Sequence, residues 1–306
     1  MCAQIFNFKF QKTSPTPSDK DNEELRQSKN LVMTDEVFNK LRDVIYNICG
    51  IYFTDSKKYL LEGRVQNRIV ARNLNSYLDY ISLLTSISGR DELNDLFDAI
   101  TINETYFFRA KQQFEIFEKN LIPEIIKAKK TNKIVTIWSA ACSSGEEAYT
   151  LALIIKERLQ PIYRDITFKI YATDISPQII DQAKTGLYRE YAIRNVPPNL
   201  LNKYFTKVGI NYQINDDIKK MVNFSIINLY DSMAMRRMIN IDIVFCCNIL
   251  IYFDMASKQK VVSQLYDSLS PFGYFFIGYS ESLHGISKSF KLVHYPKVMV
   301  YQKETT

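Results

Sequence analysis

Apolar and polar residues follow two different periods along the chain. Between Val37 and Ile48, apolar side chains recur three or four positions apart, which is the spacing of one buried helix face. Thr34 precedes this stretch as a candidate N-cap, and Gly50 follows it as a candidate stop. Three serines are candidate N-caps for the helices that come next: Ser56, Ser76 and Ser88. The pattern therefore predicts a small all-helical domain over residues 31–100.

From about residue 111 the pattern changes to short apolar runs separated by amphipathic stretches. The apolar runs predict strands over residues 134–138, 168–173, 241–246 and 273–278, and a possible edge strand over 297–301. The amphipathic stretches predict helices over residues 111–129, 146–160, 176–186 and 255–269, the last one stopped by Pro271 and Gly273. Strands that alternate with helices are typical of a mostly parallel sheet with helices on both faces. We therefore expect a doubly wound α/β domain over residues 101–306.

Composition narrows the classes of protein. Residues 1–30 contain a polar stretch with two prolines, and we expect a disordered leader there. No run approaches the roughly 18 apolar residues of a membrane span, and the first residues lack the features of a signal peptide, which indicates a cytoplasmic protein. The five cysteines form no C-x-x-C pair, so we expect neither a disulfide framework nor a metal site. The two histidines leave little material for a Ser–His or Cys–His mechanism.

The excess of basic over acidic residues lies in the larger region of the chain. Residues 101–306 hold 26 basic and 19 acidic side chains, a surplus that can attract an acidic partner. The basic residues are too dispersed for the concentrated stripe that nucleic-acid binding usually requires. No nucleic-acid partner is therefore expected.

The candidate chemistry lies where the predicted strands end. The first strand is followed by small residues as far as Gly145, and a predicted helix then begins with Glu146 and Glu147. Asp174 ends the second strand, and Asn248 follows the third. Open α/β sheets bind ligands at the carboxyl ends of their strands, and an acidic side chain there can accept hydrogen bonds from both hydroxyls of a ribose. The arrangement predicts a site for a cofactor that contains a nucleoside.

Two kinds of cofactor compete for this site. A dinucleotide normally binds at a G-x-G-x-x-G loop, whereas this loop contains Gly145 alone, and two following carboxylates would repel a pyrophosphate. S-adenosylmethionine carries a sulfonium and an ammonium group instead, and nearby carboxylates favour it. The loop by itself also allows a simpler interpretation, in which Glu146 and Glu147 only complement the dipole of the helix that they begin.

Four motifs in order are similar to those of a known family. They are Thr101-x-Asn103-x-Thr105-x-Phe107-Phe108-Arg109, Trp138-Ser139-Ala140-Ala141-Cys142-Ser143-Ser144-Gly145-Glu146-Glu147, Ala172-Thr173-Asp174-Ile175 and Asn248-Ile249-Leu250-Ile251-Tyr252-Phe253-Asp254. With these motifs the chain resembles the CheR-type chemotaxis receptor glutamate O-methyltransferases from about residue 32 to residue 303. The resemblance implies a class I methyltransferase-like domain that binds S-adenosylmethionine. It also implies a small N-terminal helical domain and a small β-subdomain inserted at about 186–222.

The resemblance also implies a set of site residues. Those expected to bind the cofactor are Asn103, Thr105, Arg109, Glu147, Asp174, Asn228, Leu229, Cys247 and Asn248. Among them, Asp174 would hold the ribose, and Asn228 with Leu229 would flank the adenine. Arg109 and Tyr252 would face the substrate and carry catalysis by orienting its carboxylate. Without the surrounding motif, Arg109 would be read as a surface arginine and Tyr252 as a core tyrosine.

A basic ridge on the second helix is a candidate for substrate recognition. Arg64, Arg68 and Arg72 recur at intervals of four residues beside an apolar stripe, and such a ridge can contact the acidic helical region of a receptor. The family is thought to use this helix in that way. The ordinary explanation of the same ridge is a solvated helix face.

The sequence departs from the family at two places. Cys247 stands where the family usually has an arginine before the asparagine, so the cofactor pocket loses a cation. Members that dock on a C-terminal receptor tether have a glycine-rich loop in the β-subdomain, whereas residues 207–214 contain one glycine. This favours a member that does not depend on the tether.

The leading hypothesis is a monomeric methyltransferase that esterifies glutamate side chains of chemotaxis receptors and releases S-adenosylhomocysteine. A glutamate is already ionised at neutral pH and needs no general base. One alternative is a methyltransferase with another acceptor, such as a small acid. A second alternative is a non-catalytic module that senses the cofactor or its product, which the missing cation at Cys247 keeps open.

Overall fold

The computed structural model describes residues 31–129 and 132–304, so the predicted leader lies outside the described residues. The first part of the chain forms four helices, which we call the helical domain: α1 Asp35–Cys49, α2 Lys58–Ala71, α3 Tyr77–Thr85 and α4 Arg90–Ile100. Short 3₁₀ turns precede α2 and α4. One face of each helix is buried against the others, and Leu41, Leu61, Tyr80 and Leu96 are fully buried there. The helical spacing of apolar residues therefore produces the expected all-helical domain.

The helix starts show which capping predictions hold. The hydroxyl of Thr34 accepts a hydrogen bond from the Val37 amide, and that of Ser76 accepts one from the Asp79 amide, so both predicted caps are confirmed. Gly50 ends α1 in the left-handed conformation with a φ of 72°, as glycine allows at low cost.

The other two predicted caps are wrong. Ser56 and Ser88 lie inside the 3₁₀ turns, and neither α2 nor α4 has a side-chain cap. Each serine hydroxyl instead lies 2.9 Å from a neighbouring hydroxyl, that of Thr54 or Ser86. A local side-chain partner thus competes with the backbone amides that a cap would serve.

Within residues 132–304, ten strands follow in two sheets. Their bounds are β1 Ile134–Ala140, β2 Thr167–Asp174, β3 Leu187–Arg189, β4 Phe205–Val208, β5 Asn211–Ile214, β6 Val222–Ile226, β7 Ile241–Cys246, β8 Leu269–Ile277, β9 Phe290–Tyr295 and β10 Val298–Lys303. The large sheet has the order β6-β2-β1-β7-β8-β10-β9, and β10 pairs antiparallel with both of its neighbours while the other pairs are parallel. The predicted fold class, a mostly parallel doubly wound sheet, is confirmed.

Two details of the sheet differ from the predictions. The segment predicted as an edge strand is β10, which lies inside the sheet, and the edge is β9, which no pattern predicted. A tight turn joins them, with Lys297 in the left-handed conformation at a φ of 65°. The helix before β8 ends at Ser268, and β8 already begins at Leu269. Pro271 and Gly273 are therefore not the helix stop but lie in an irregular part of β8, where the pairing with β7 shifts.

Helices cover both faces of the large sheet. In chain order they are α5 Lys111–Ile116, its continuation α6 Ile122–Ala128, α7 Glu146–Ile154, α8 Pro177–Thr185, α9 Glu190–Ile193, α10 Pro198–Tyr204, α11 Asp216–Lys219, α12 Ser232–Met235 and α13 Met255–Ser268. In β1, Val135 and Ile137 belong to the core on one face, while Trp138 and Ala140 belong to the core on the other. Both faces of a parallel sheet are expected to be buried in this way.

The small antiparallel sheet has the order β3-β5-β4 and lies in the chain between α8 and β6. Its Tyr188 ring packs edge-on against Phe107, with the centroids 4.8 Å apart, and the Tyr188 hydroxyl donates to the Ser144 carbonyl at 2.8 Å. Gly209 and Ile210 make the short turn between β4 and β5. The β-subdomain thus contacts the loop that follows β1.

The helical domain packs against the carboxyl ends of the sheet strands. Ile51 forms a β-bridge with Phe253, and the Asn228 side-chain amide donates to the Ile48 carbonyl at 2.8 Å. Across the whole described part of the chain, no helix combines the length and the apolar character needed to span a membrane.

Candidate functional site

A cleft lies at the carboxyl ends of the strands, between the helical domain and the large sheet, and it has two connected parts. The apolar chamber, about 150 Å³, is lined mainly by Ile51, Phe53, Ile175, Ile227, Leu229 and Phe253. The polar chamber, about 420 Å³, includes Thr105, Arg109, Glu147, Cys247, Asn248 and Gly278 in its lining. Asn103, Ala141, Asp174 and Tyr252 line both chambers. The cleft can therefore receive an elongated molecule with one apolar end and one charged end.

The loop after β1 forms the floor between the chambers. Ala141, Ser143 and Gly145 all have positive φ values, of 61°, 51° and 92°. The Cys142 amide donates to the Thr173 carbonyl at 2.8 Å, which ties the loop to β2. A Cβ atom on Gly145 would lie 3.1 Å from the Ala183 side chain, so glycine fits best here. Left-handed non-glycine residues are sparsely populated and tend to cluster at functional sites.

Asp174 lies at the junction of the two chambers. It is 6% exposed, and its carboxylate accepts backbone hydrogen bonds from Ser143 at 2.9 Å and Ser176 at 3.1 Å. Burial raises the pKa of Asp174, and these backbone donors act in the opposite direction. A carboxylate has about four lone-pair positions, so acceptor capacity remains towards the cleft. The side chain is fixed in place with free acceptor sites where a ribose is expected.

The two glutamates at the start of α7 have different surroundings. Glu147 lines the polar chamber and accepts a hydrogen bond from the Ser139 hydroxyl at 2.7 Å. Burial raises its pKa, while hydrogen bonds from Ser139 and Cys247 and the charge of Arg109 lower it. Glu146 is instead 3% exposed and accepts from the Ser144 hydroxyl at 2.7 Å, and burial raises its pKa to about 7. The electrostatic preference for a cationic cofactor therefore comes from Glu147.

The segment before α5 supplies three predicted site residues to the polar chamber, namely Asn103, Thr105 and Arg109. The Asn103 carbonyl accepts a hydrogen bond from the Ser143 hydroxyl at 3.2 Å, which joins this segment to the loop after β1. Arg109 is exposed, donates to the Glu104 carbonyl at 2.9 Å, and lies over the Tyr106 ring at 5.7 Å. Its guanidinium group has donors left for a ligand, since five N–H groups are present.

Tyr252 lies in a 3₁₀ turn after β7 and lines both chambers. Burial raises its pKa, and the charges of Arg109 and Arg64 act in the opposite direction. The phenol is therefore protonated at neutral pH and available as a hydrogen-bond donor. Its backbone carbonyl accepts from the Tyr52 amide at 3.0 Å, so the helical domain holds this turn.

The residues after β7 and β8 share one carboxylate. Asn248 has a φ of 63°, and its amide donates to Glu281 at 2.8 Å, while the Gly278 amide donates to the same oxygen at 2.7 Å. Cys247 lies on the wall of the polar chamber, and its thiol donates to the Gln113 side chain at 3.6 Å. Glu281 thus fixes the chamber wall where two parallel strands end.

Asn228 and Leu229 line the apolar chamber, as expected of residues beside an adenine. The Asn228 amide group already donates to the Ile48 carbonyl, and its oxygen accepts from the Tyr230 amide at 3.0 Å. These bonds fix the chamber wall. Little of the Asn228 side chain remains for direct hydrogen bonding to a base.

The basic ridge of α2 is partly ion-paired within the helical domain. Arg68 donates to Glu92 through two nitrogens at 2.8 Å and also pairs with Asp95, and Arg72 pairs with the same two carboxylates. Burial tends to raise the pKa of Glu92, but hydrogen bonds from Arg68, Tyr80 and Arg72 lower it overall. Carboxylates of α4 therefore pair with Arg68 and Arg72, and the role of the ridge in substrate recognition stays a prediction. Arg64 lines the apolar chamber and donates to the Ile100 carbonyl.

Several lining residues were not predicted from the sequence. Ile51, Tyr52 and Phe53 come from the helical domain, about 200 residues away from the turn that they contact, and no local pattern indicates that pairing. Glu281 follows the fourth predicted strand by a few residues. The rule that places ligands at strand ends, applied to that strand as well, would have drawn attention to it.

The fold and the cleft together define a class of protein. A seven-stranded sheet with one antiparallel hairpin, a tight loop after β1 and an acidic residue ending β2 are the features of class I S-adenosylmethionine-dependent methyltransferases. Within that class, residues 36–101 match the profile of the CheR methyltransferase all-alpha domain, and residues 103–299 match that of the CheR methyltransferase SAM-binding domain. The chain belongs to the CheR methyltransferase family.

Similar proteins bear out the assignment. Chemotaxis protein methyltransferase 2 of Vibrio cholerae is 35% identical over 274 residues, which cover 89% of this chain and 94% of that protein. The chemotaxis protein methyltransferase of Borreliella burgdorferi is 33% identical over 259 residues, covering 84% and 91%. Chemotaxis protein methyltransferase 1 of Pseudomonas aeruginosa is 32% identical over 270 residues, covering 87% and 97%. The protein is therefore an S-adenosylmethionine-dependent methyltransferase, and the expected cofactor is confirmed.

Proposed function

We propose that the protein methyl-esterifies glutamate side chains of chemotaxis receptors in the cytoplasm, acting as a monomer and releasing S-adenosylhomocysteine. The family membership and the names of the relatives support this acceptor. The observation that carries the proposal is the placement of Arg109 and Tyr252 at the polar chamber, beside the cofactor-facing carboxylates Asp174 and Glu147. A receptor carboxylate and a methyl donor can therefore meet in one cleft.

We assign different parts of the cofactor to the two chambers. Asp174 would accept hydrogen bonds from the ribose, and the apolar walls formed by Asn228 and Leu229 would contact the adenine. The charged amino-acid end would lie in the polar chamber, within reach of five residues: Asn103, Thr105, Glu147, Cys247 and Asn248. The thiol of Cys247 supplies no cation, so we assign it to the wall and give it no electrostatic role.

The chain's own groups would position the acceptor. The bound cofactor supplies an electrophilic methyl group, and an ionised glutamate can react with it without a general base. Arg109 would draw the carboxylate in by a charge-assisted hydrogen bond, and the protonated Tyr252 would donate a second one. Aligned reactants of this kind gain about 7–11 kcal/mol over free reactants.

Receptor recognition is assigned more narrowly than the sequence suggested. Arg64 remains in the proposal because it lines the cleft near Tyr252, whereas Arg68 and Arg72 are ion-paired within the helical domain. We assign recognition to residues 31–100 together with the cleft rim, and cofactor binding to residues 101–306. The short turn at Gly209 supports docking without a receptor tether.

The test uses methyl-labelled S-adenosylmethionine and the cytoplasmic fragment of a chemoreceptor. Base treatment of the product should release labelled methanol from the receptor, since glutamyl methyl esters hydrolyse in base. Label on a small acid, or on a position that base does not release, would point to another acceptor. Tight cofactor binding without transfer would point to a non-catalytic module and contradict the proposal.

A further inference from the structure

Arg109 separates the polar chamber from a second groove that the proposed chemistry does not use. This groove has a volume of about 440 Å³ and shares Arg109 with the polar chamber. We call it the basic groove, and its main lining residues are Phe108, Arg109, Lys111, Phe114, Lys119 and Arg158. Aromatic rings form part of the wall and the cations lie around it. A chain segment in the basic groove would lie next to the chamber where methyl transfer takes place.

The cations of the basic groove are largely available to a partner. Lys111 and Lys119 are exposed, and neither is within ion-pair distance of a carboxylate in residues 31–129 or 132–304. Arg158 is paired with Glu118 at 2.6 Å, and Glu115 is a second carboxylate at the groove. Four cations thus face two carboxylates. The groove retains positive charge, in contrast to the neutralised ridge on α2.

Positive charge continues from the groove towards the β-subdomain. The guanidinium group of Arg194 lies between the rings of Tyr106 and Tyr191, at 3.5 and 3.6 Å from their centroids. The same Tyr106 ring contacts Arg109 at 5.7 Å. Glu104, which accepts from the Tyr191 hydroxyl at 3.0 Å, is the acidic group beside this rim. Arg194 therefore extends the positive charge from Arg109 towards the β-subdomain, since both guanidinium groups lie at the Tyr106 ring.

We propose that the basic groove binds an acidic segment of the methyl-accepting protein, next to the glutamate that is methylated. The inference rests on the proposed function, because it extends the acceptor site beyond the polar chamber. Complementary charge at an exposed rim raises the rate and selectivity of association more than it changes the chemistry. A segment held by Lys111 and Lys119 would present its glutamate past Arg109, which is common to both sites.

The experiment compares two double charge reversals in the full chain. Lys111→Glu with Lys119→Glu alters the groove, and Lys288→Glu with Lys291→Glu alters two other exposed lysines, which lie where β9 begins and do not line the groove. Methyl transfer to a receptor fragment is measured at two salt concentrations, and calorimetry with S-adenosylmethionine checks folding. The groove variant should raise KM about tenfold and weaken its salt dependence. Its kcat and cofactor affinity should change less than about twofold, and the matched variant should behave like the wild type.

Three results would overturn the inference. The first is an unchanged KM in the groove variant, and the second is an equal rise in KM in both variants. The third is tighter binding of single-stranded RNA than of polyglutamate by the wild type. If the wild type binds cofactor but transfers no methyl group to the receptor, the proposed function fails separately. In that case polyglutamate binding still tests the inference. The groove variant should lose this binding, and the matched variant should retain it.

Discussion

Glu92 and Asp174 are both buried carboxylates, but their hydrogen bonding differs. Glu92 is 1% exposed and is surrounded by donors from Arg68, Arg72 and Tyr80. Asp174 accepts two backbone hydrogen bonds and faces an open cleft. A carboxylate that the fold has saturated stabilises the fold, whereas one with spare acceptor positions beside a cavity is available to a ligand.

Replacing the saturated carboxylate gives the largest expected effect on stability. Glu92→Gln removes the charge that Arg68 and Arg72 share, and loss of one partner from a buried ion pair costs about 3 kcal/mol at the lower end of the usual range. The lower end applies because the arginines are partly exposed. Chemical denaturation should show this loss, while the dissociation constant for S-adenosylmethionine stays unchanged. An unaltered free energy of unfolding would mean that the ion pairs are energetically neutral.

Replacing the open carboxylate should act on binding instead. Asp174→Ala removes the proposed ribose acceptor, and we expect S-adenosylmethionine to bind about 100-fold more weakly, which corresponds to about 2.7 kcal/mol. Asp174→Asn is the matched control, because its amide oxygen keeps one acceptor, and it should lose less. Calorimetry decides, and wild-type affinity in Asp174→Ala would remove this residue from the cofactor site.

The pH dependence of stability should have opposite signs for Glu146 and Glu92. Burial raises the pKa of Glu146 to about 7, so its folded state holds a proton more tightly than the unfolded state, and stability falls as the pH rises from about 4.5 to 7. Glu92 has a lowered pKa, so its contribution is lost as the pH falls through the folded-state value. Glu146→Gln should flatten the fall below pH 7 and stabilise the protein at pH 8 by up to about 3 kcal/mol. Denaturation midpoints measured between pH 5 and 8 test this, and an unchanged slope would show that Glu146 is ionised at low cost.

The smallest expected effect separates two kinds of arginine. Arg109→Ala should lower kcat/KM for a receptor fragment about tenfold through loss of one charge-assisted hydrogen bond, and Arg109→Lys should restore part of it. Arg68→Ala should leave kcat/KM within about twofold of the wild type and lower the midpoint of unfolding. Similar kinetic losses in both variants would contradict the distinction between a paired and an available arginine.

The features that could be predicted from the sequence are those that depend on residues close together in the chain. Apolar spacing gave the helices of the helical domain and the strands of the parallel core, and the residues at strand ends gave Asp174 and Glu147. Two of the predicted caps were wrong because the hydroxyls of Ser56 and Ser88 contact neighbouring hydroxyls instead of helix amides. The four-residue spacing that predicted a basic ridge at Arg68 and Arg72 holds no information on α4, whose carboxylates pair with these arginines only in the folded chain.

Long-range contacts account for the rest. The hairpin of β9 and β10 was not predicted as a pair, since its pairing requires a tight left-handed turn at Lys297 that carries no glycine. The apolar chamber could not be predicted either, because its walls come from both domains. The sequence shows which side chains lie at strand ends. Whether such a side chain is available to a ligand depends on which other groups the fold places beside it.

The bridge between Ile51 and Phe253 makes the cofactor pocket a property of two domains at once. A sheet domain expressed alone would keep Asp174 yet lose one side of the apolar chamber, where we propose that the adenine binds, together with the backbone support of the turn that bears Tyr252. A displacement of the helical domain would therefore change the shape of the apolar chamber and the position of Tyr252. A receptor that binds to the helical domain would in this way influence the rate of methyl transfer as well as being selected as the substrate.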